Sequence, residues 1–260
     1  MSERDRRDQA GRQAGRRVNL ELQGITKRFG SLVANDHIDL SVATGTIHAL
    51  LGENGAGKTT LMNILYGLTQ PGEGTILADG QPLTIHSPKD AIAAGIGMVH
   101  QHFMLVPVFT VAENVTLGDE QTRPLGLLDR RRMRRKVREL SERYGLRVEP
   151  DALTEDLPVG VQQRVEILKA LVRDAQVLIL DEPTASLDAR AEYEVFLRFA
   201  DLTRGRMAVL ISHRFSTVRM ADRILVLADG ELVEQGTHQQ LVALGGRYAE
   251  LFELQAAGYR

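Results

Sequence analysis

Nine residues, 52–60, read GENGAGKTT and constrain the fold more tightly than any other stretch of the chain. They fit the pattern G-x-x-x-x-G-K-[ST]: Gly52, Gly57, Lys58 and Thr59 hold the fixed places, and Glu53, Asn54, Gly55 and Ala56 fill the loop. Glycines let a backbone wrap a phosphate chain with its N–H groups turned inward. A helix starting at Lys58 aims the positive end of its dipole at the same phosphates. Lysine in this position reaches the outer phosphates, and the hydroxyl at Thr59 is placed to hold Mg²⁺. The buried-looking run TIHALL at 46–51 predicts the strand that must precede such a loop, and the apolar spacing over 58–66 predicts the helix that must follow.

The 260 residues are 43% hydrophobic and 25% charged, enough to bury one substantial core. A formal net charge of −2 provides no global field for nucleic acid. No cysteine is present, which excludes disulfide and thiol chemistry. No apolar run reaches the length of a membrane span, and residues 1–17 are arginine-rich and polar, read as a disordered tail rather than a leader. The expected location is the cytoplasm.

Residues 18–25 alternate apolar and polar, and 38–42 continue as strand before a turn at 43–45. Residues 74–78 and 81–85 flank Asp79-Gly80, a two-residue hairpin signal. Ser87-Pro88 opens a short helix. Residues 129–144 form a strongly basic helix with Met133, Val137 and Leu140 as its buried stripe, and 160–173 form another helix. The apolar runs 177–180, 207–211 and 224–227 read as strands buried on both faces, giving a βαβ rhythm and an α/β fold of P-loop NTPase type.

The strand at 177–180 ends in two carboxylates, Asp181 and Glu182, at the sheet edge where ligands of parallel sheets bind. Asp181 is placed to support Mg²⁺, and Glu182 to orient or deprotonate an attacking water. Gln101 follows a strand between His100 and His102, which carry no metal-ligand spacing. Leu157-Pro158-Val159-Gly160-Val161-Gln162 opens the 160–173 helix, Asp188 follows the carboxylates, and His213 ends a strand. Taken singly these are ordinary residues; their order carries the information.

In that order the segments resemble the nucleotide-binding domains of ATP-binding cassette (ABC) transporters from about residue 18 to 256. The resemblance implies a single cassette over 18–257, with an antiparallel β-subdomain and a helical subdomain at about 107–173. It implies that Phe29 stacks on adenine, that 52–60 is the Walker A loop (through Thr60), and that Gln101 contacts Mg²⁺ or the lytic water. It makes Asp181 and Glu182 the Walker B pair, with Glu182, His213 and Lys58 as catalytic groups and Thr59, Gln101 and Asp181 around the metal. Val159, Gly160, Val161 and Gln162 become the signature segment that binds ATP held by a second cassette, and Asp188 the D-loop aspartate.

Two departures matter. The family's signature is Leu-Ser-Gly-Gly-Gln, and here Pro158 stands where the serine hydroxyl would bind phosphate. Residues 97–107 and 160–171 resemble nucleoside and simple-sugar importer ATPases, whereas 186–193, 211–218 and 246–252 resemble exporter cassettes, with a change near Thr184. The function expected is ATP hydrolysis driving a transporter, import favoured, with ATP and Mg²⁺ as cofactors. The expected partners are a second cassette, transmembrane permease subunits on the inner face of the membrane and, for an importer, a solute-binding protein. An exporter-type cassette, a cassette disabled as a motor and a soluble cassette acting on nucleic acid or ribosomes are the alternatives; no nucleic-acid partner is expected.

Overall fold

The structure, a computed structural model, describes residues 19–100, 103–120, 127–181, 206–212 and 214–257. Two sheets organise them. The first is antiparallel and contains β1 (Leu20–Phe29), β2 (Leu32–Val42), β4 (Glu73–Ala78) and β5 (Gln81–Pro82) in the order β2-β1-β4-β5. The second contains β3 (Ile47–Leu51), β6 (Ile96–Val99), β7 (Val177–Asp181), β8 (Met207–Ile211), β9 (Arg223–Ala228) and β10 (Glu231–Gly236). Its order is β10-β9-β3-β8-β7-β6, parallel throughout except for β10 at the edge.

Alternation along these parallel strands explains why they read as unbroken apolar runs. Leu50, Ile179, Val209 and Leu225 face one core, shared with α1 (Lys58–Leu65) and with Leu20, Leu22, Ile38 and Leu40 of the antiparallel sheet. Their neighbours Ala49, Leu51, Ile224 and Val226 face the opposite side, against Phe215, Val218 and Tyr248. Both faces of the parallel strands are therefore covered, and apolar residues fill nearly all their positions, with His48 of β3 and Asp181 at the end of β7 as buried polar exceptions.

Among the described residues the other α-helices are α2 (Pro88–Ala93), α3 (Val111–Thr116), α4 (Arg130–Tyr144), α5 (Val159–Leu171), α6 (Phe215–Val218), α7 (His238–Leu244) and α8 (Arg247–Ala257). A third core joins α3, α4 and α5 to the β7 side of the sheet through Val115, Val137, Val165 and Leu168 packed with Leu178 and Leu180. Buried Asn114 ties the loops there, donating to Val106 O at 3.0 Å and to Thr154 Oγ1 at 2.8 Å. Among the described residues no helix is long and apolar enough to cross a membrane.

Several boundaries differ from the sequence expectations for physical reasons. The β1 strand runs on to Phe29 because irregular pairing around Gly24 and Lys27 breaks its alternation without ending the ladder. The β2 strand begins six residues before Ile38, across His37 at a φ of 47°. The β5 strand stops at Pro82 instead of running to 85; one further bond to β4, from Leu83 N–H to Ile76 O at 2.8 Å, follows it before the chain leaves the sheet. The α5 helix starts one residue earlier than expected, at Val159, and its last residue is Leu171. The tail at 1–17 lies outside the described residues.

Candidate functional site

The phosphate-binding pattern becomes a loop between β3 and α1. Gly57, at a φ of 96°, is the residue before the helix. A Cβ there would lie 2.1 Å from Ala34 O, and one at Gly52 would lie 2.3 Å from Leu227 O. Glycine is required at both places because backbone presses on the loop from two sides. Asn35 Nδ2, fully buried, donates to Gly57 O at 3.2 Å and fixes the turn to β2.

Lys58 is buried at the start of α1, and its Nζ donates to the carbonyls of Gly52 and Glu53, each at 2.8 Å. The lysine thus curls back over its own loop and sets an ammonium beside the loop's backbone. Ala56 N–H donates to Glu53 O at 3.2 Å and closes the same turn. No side chain caps α1 and no acid stands in its first turn, so the positive end of its dipole meets no neighbouring negative charge on the helix, a setting that favours an anion. The loop opens on a cleft of about 900 Å³ whose wall includes Phe29, Leu32, Gly55, Lys58, Thr59 and Thr60. Phe29 is 51% exposed there, with Lys27 Nζ 5.2 Å from its ring centroid.

The other expected site residues are distributed differently. Asp181 is buried at the end of β7, paired in register with Ile211 on β8, and α1 packs against β7. Val159, Gly160, Val161 and Gln162 form the first turn of α5. Pro158 precedes that turn and gives it no side-chain cap; Val161 and Gln162 N–H both reach Pro158 O, at 2.8 and 3.0 Å. Gln162 Nε2 turns back to Leu157 O at 2.8 Å. Neither Asp181 nor this turn lines the cleft. Glu182, Gln101, His213 and Asp188 lie outside the described residues.

A smaller cavity of about 210 Å³ lies between α5 and β6, with Tyr66, His100, Glu166 and Lys169 in its wall. His100 packs edge-on to Tyr66 at 5.8 Å, and burial, aided by Lys169, lowers its basicity. Glu166 is 2% exposed, and burial pushes its carboxyl up against the pull of Lys169, whose Nζ is 3.7 Å away.

One wall of the large cleft was not anticipated. Phe215 of α6 and Leu251, Leu254 and Gln255 of α8 line it, and Arg247 at the start of α8 forms an ion pair with Glu53 in the loop. No sequence pattern marked this wall, in which Leu254 stands 71% exposed.

The sequence matches the family described as ABC transporter over residues 35–185. It is 51% identical over 232 residues to the nucleoside import ATP-binding protein NupA of Lactococcus lactis, covering 86% of this chain and 46% of that protein. It is 49% identical to the guanosine import ATP-binding protein NupO of Bacillus subtilis, over 82% of this chain and 42% of that protein. The chain thus spans about half the length of the curated relatives it matches. Among solved structures, a bacterial Atm1-family ABC exporter with ATP bound superposes with a TM-score of 0.78 at 28% identity, over 94% of this chain and 43% of the exporter chain. An alignment of 232 residues is longer than the stretch up to Thr184, so likeness to the importer subunit continues beyond that point.

Proposed function

This chain belongs to the ABC transporter family, and we propose that it is the ATP-binding and ATP-hydrolysing subunit of a transporter, of importer type, acting through separate transmembrane partners. The observation that carries the reading is the glycine loop closed by Lys58 against the uncapped start of α1, opening on a cleft with Phe29 in its wall. Backbone N–H groups, a helix dipole and one ammonium converge there, the combination that binds a polyphosphate. Phe29 supplies a face for the base.

Thr59 and Asp181 offer hard oxygen donors suited to Mg²⁺, and Gln101 would join them; a cation of this kind keeps waters and needs few protein ligands. When bound, Mg²⁺ neutralises charge on the outer phosphates. The chain's own residues do the rest. The loop and Lys58 hold the β- and γ-phosphates in line. Glu182, following buried Asp181, accepts a proton from the attacking water as its oxygen bonds to the γ-phosphorus and the bond to ADP breaks, leaving phosphate. His213 contacts the γ-phosphate. Val159, Gly160, Val161 and Gln162, with Asp188, complete the site of a second cassette, so two chains enclose two nucleotides.

Residues 18–257 then form one cassette, and the permease partners hold it on the inner face of the membrane. The likeness to NupA and NupO supports import of nucleosides or simple sugars, with a solute-binding protein delivering them. The exporter reading is favoured by one observation, the superposition over 94% of the chain. Uptake of labelled guanosine or ribose by cells carrying the chain and its permease separates the two, since loss of this chain abolishes uptake only in an importer. The test of the enzyme is ATPase rate against protein concentration. Wild type should rise faster than linearly, and Glu182→Gln should bind ATP while losing turnover by about a hundredfold or more. Normal turnover in Glu182→Gln removes that residue as the base.

A further inference from the structure

Glu53 puts a carboxylate in the loop that is meant to attract phosphate. Left alone, that charge opposes a polyphosphate arriving beside it. The structure supplies a counter-charge from 194 residues away: Arg247 Nη2 is ion-paired with Glu53 Oε1. The backbone of Glu53 is equally engaged, since its carbonyl accepts from both Lys58 Nζ and the Ala56 N–H. Arg247 therefore grips the residue on which the loop lysine rests.

The helix that presents Arg247 is held at both ends. Glu234 of β10 accepts the Arg247 and Tyr248 N–H groups with its two carboxylate oxygens, capping the start of α8. Near the other end Gln255 Oε1 accepts the Phe215 N–H at 2.9 Å. Between them Phe252 packs against Phe215 and His238, each at 5.3 Å between ring centroids. This helix lies outside the matched family span of 35–185, yet Leu251, Leu254 and Gln255 line the same cleft as the loop.

We propose that α8 is part of the nucleotide site, and that Arg247 is a positioning residue that neutralises Glu53 and holds the phosphate loop in its binding shape. This rests on the nucleotide reading above. The pair is half-exposed, so its contribution to fold stability is small and its effect falls on the phosphates.

The experiment is calorimetric titration of the full chain with ATP, ADP and adenosine in Mg²⁺ at low salt. Arg247→Ala should weaken ATP binding about threefold to tenfold, ADP less and adenosine not at all, because the effect scales with ligand charge. Rising salt should shrink the difference. Arg247→Lys should recover most of the affinity, and Glu53→Gln placed in the Arg247→Ala chain should restore ATP binding by removing the uncompensated charge. ATPase assays should show a raised KM with kcat little changed. Equal weakening for all three ligands, or no restoration by Glu53→Gln, would overturn the charge argument. Wild-type affinity in Arg247→Ala would sink the inference alone. Failure of the wild type to bind any nucleotide would sink the function proposal and this one with it.

Discussion

Two helix starts in this molecule carry the same backbone dipole and very different surroundings. The α1 helix begins after Gly57 with Lys58 buried beneath it, a glycine loop against it and a cleft in front. The α5 helix begins after Pro158 with Val159 45% exposed; its Gln162 N–H reaches Pro158 O just as Leu61 N–H reaches Gly57 O in α1, and Val161 N–H bends to Pro158 O as well. Both lack a side-chain cap. The first has every component of an anion site on one chain; the second has the dipole alone. A helix terminus becomes a binding site when a cation and a close-fitting backbone join it, and here only one of the two has been given both.

The strongest way to break this comparison is to remove the cation. Lys58→Ala should cost at least about 3 kcal/mol of ATP affinity, roughly a hundredfold, by deleting a charged donor at the phosphates. Calorimetry checks it, and retained affinity would make α1 no better than α5.

Acid separates the two regions next. Burial, with the Arg223 guanidinium nearby, lowers His48 of β3 to about 4 from an ordinary 6.5. The unfolded chain takes up that proton first, so the stability contributed by neutral His48 is full above about pH 6.5 and is lost as pH falls to about 4, by at most ~3 kcal/mol. Glu166 of α5 has the opposite sign: its carboxyl is raised by burial, so its penalty is absent below the unfolded value of 4.5 and grows as pH rises through its folded value. Urea midpoints between pH 4 and 8 should show His48→Gln flattening the acid limb, and Glu166→Gln gaining on wild type as pH rises. Shifts of the same sign in both variants would contradict the assignment.

The smallest effect sharpens the comparison. Pro158→Ser gives α5 a hydroxyl at its cap, able to accept from the first turn or to meet a phosphate held by a second chain. ATP-driven pairing in the Glu182→Gln chain should tighten by at least about tenfold, from one added charge-assisted hydrogen bond of ~1.5 kcal/mol or more. Sedimentation with and without ATP measures it, and no change would mean that the backbone alone suffices at α5.

Legibility followed sequence distance. The β7, β8 and β9 strands could be read directly, because the stretch of a strand covered on both faces is a run of apolar residues, broken here only at the ends by Asp181 and Arg223. Asp79-Gly80 declared its hairpin, and both residues adopt the positive φ, 53° and 73°, that such a turn demands. The phosphate loop was legible because its chemistry is local. The extended ends of β1 and β2 were hidden because bulges scramble alternation while leaving the ladder intact. The wall built by Phe215, Leu251 and Leu254 was illegible, since it joins parts of the chain that only the closed fold brings together.

The contact between β2 and the phosphate loop reaches further than the fit of a glycine. The hairpin that carries Phe29 and Leu32 to the cleft mouth continues into Ala34 and Asn35, which bear on Gly57, and Asp36 N–H is bonded across to Gly230 O beside β10. The aromatic tip and the cradle are therefore two ends of one hydrogen-bonded hairpin, so a substitution at Ala34 or Asn35 should disturb both walls of the cleft at once.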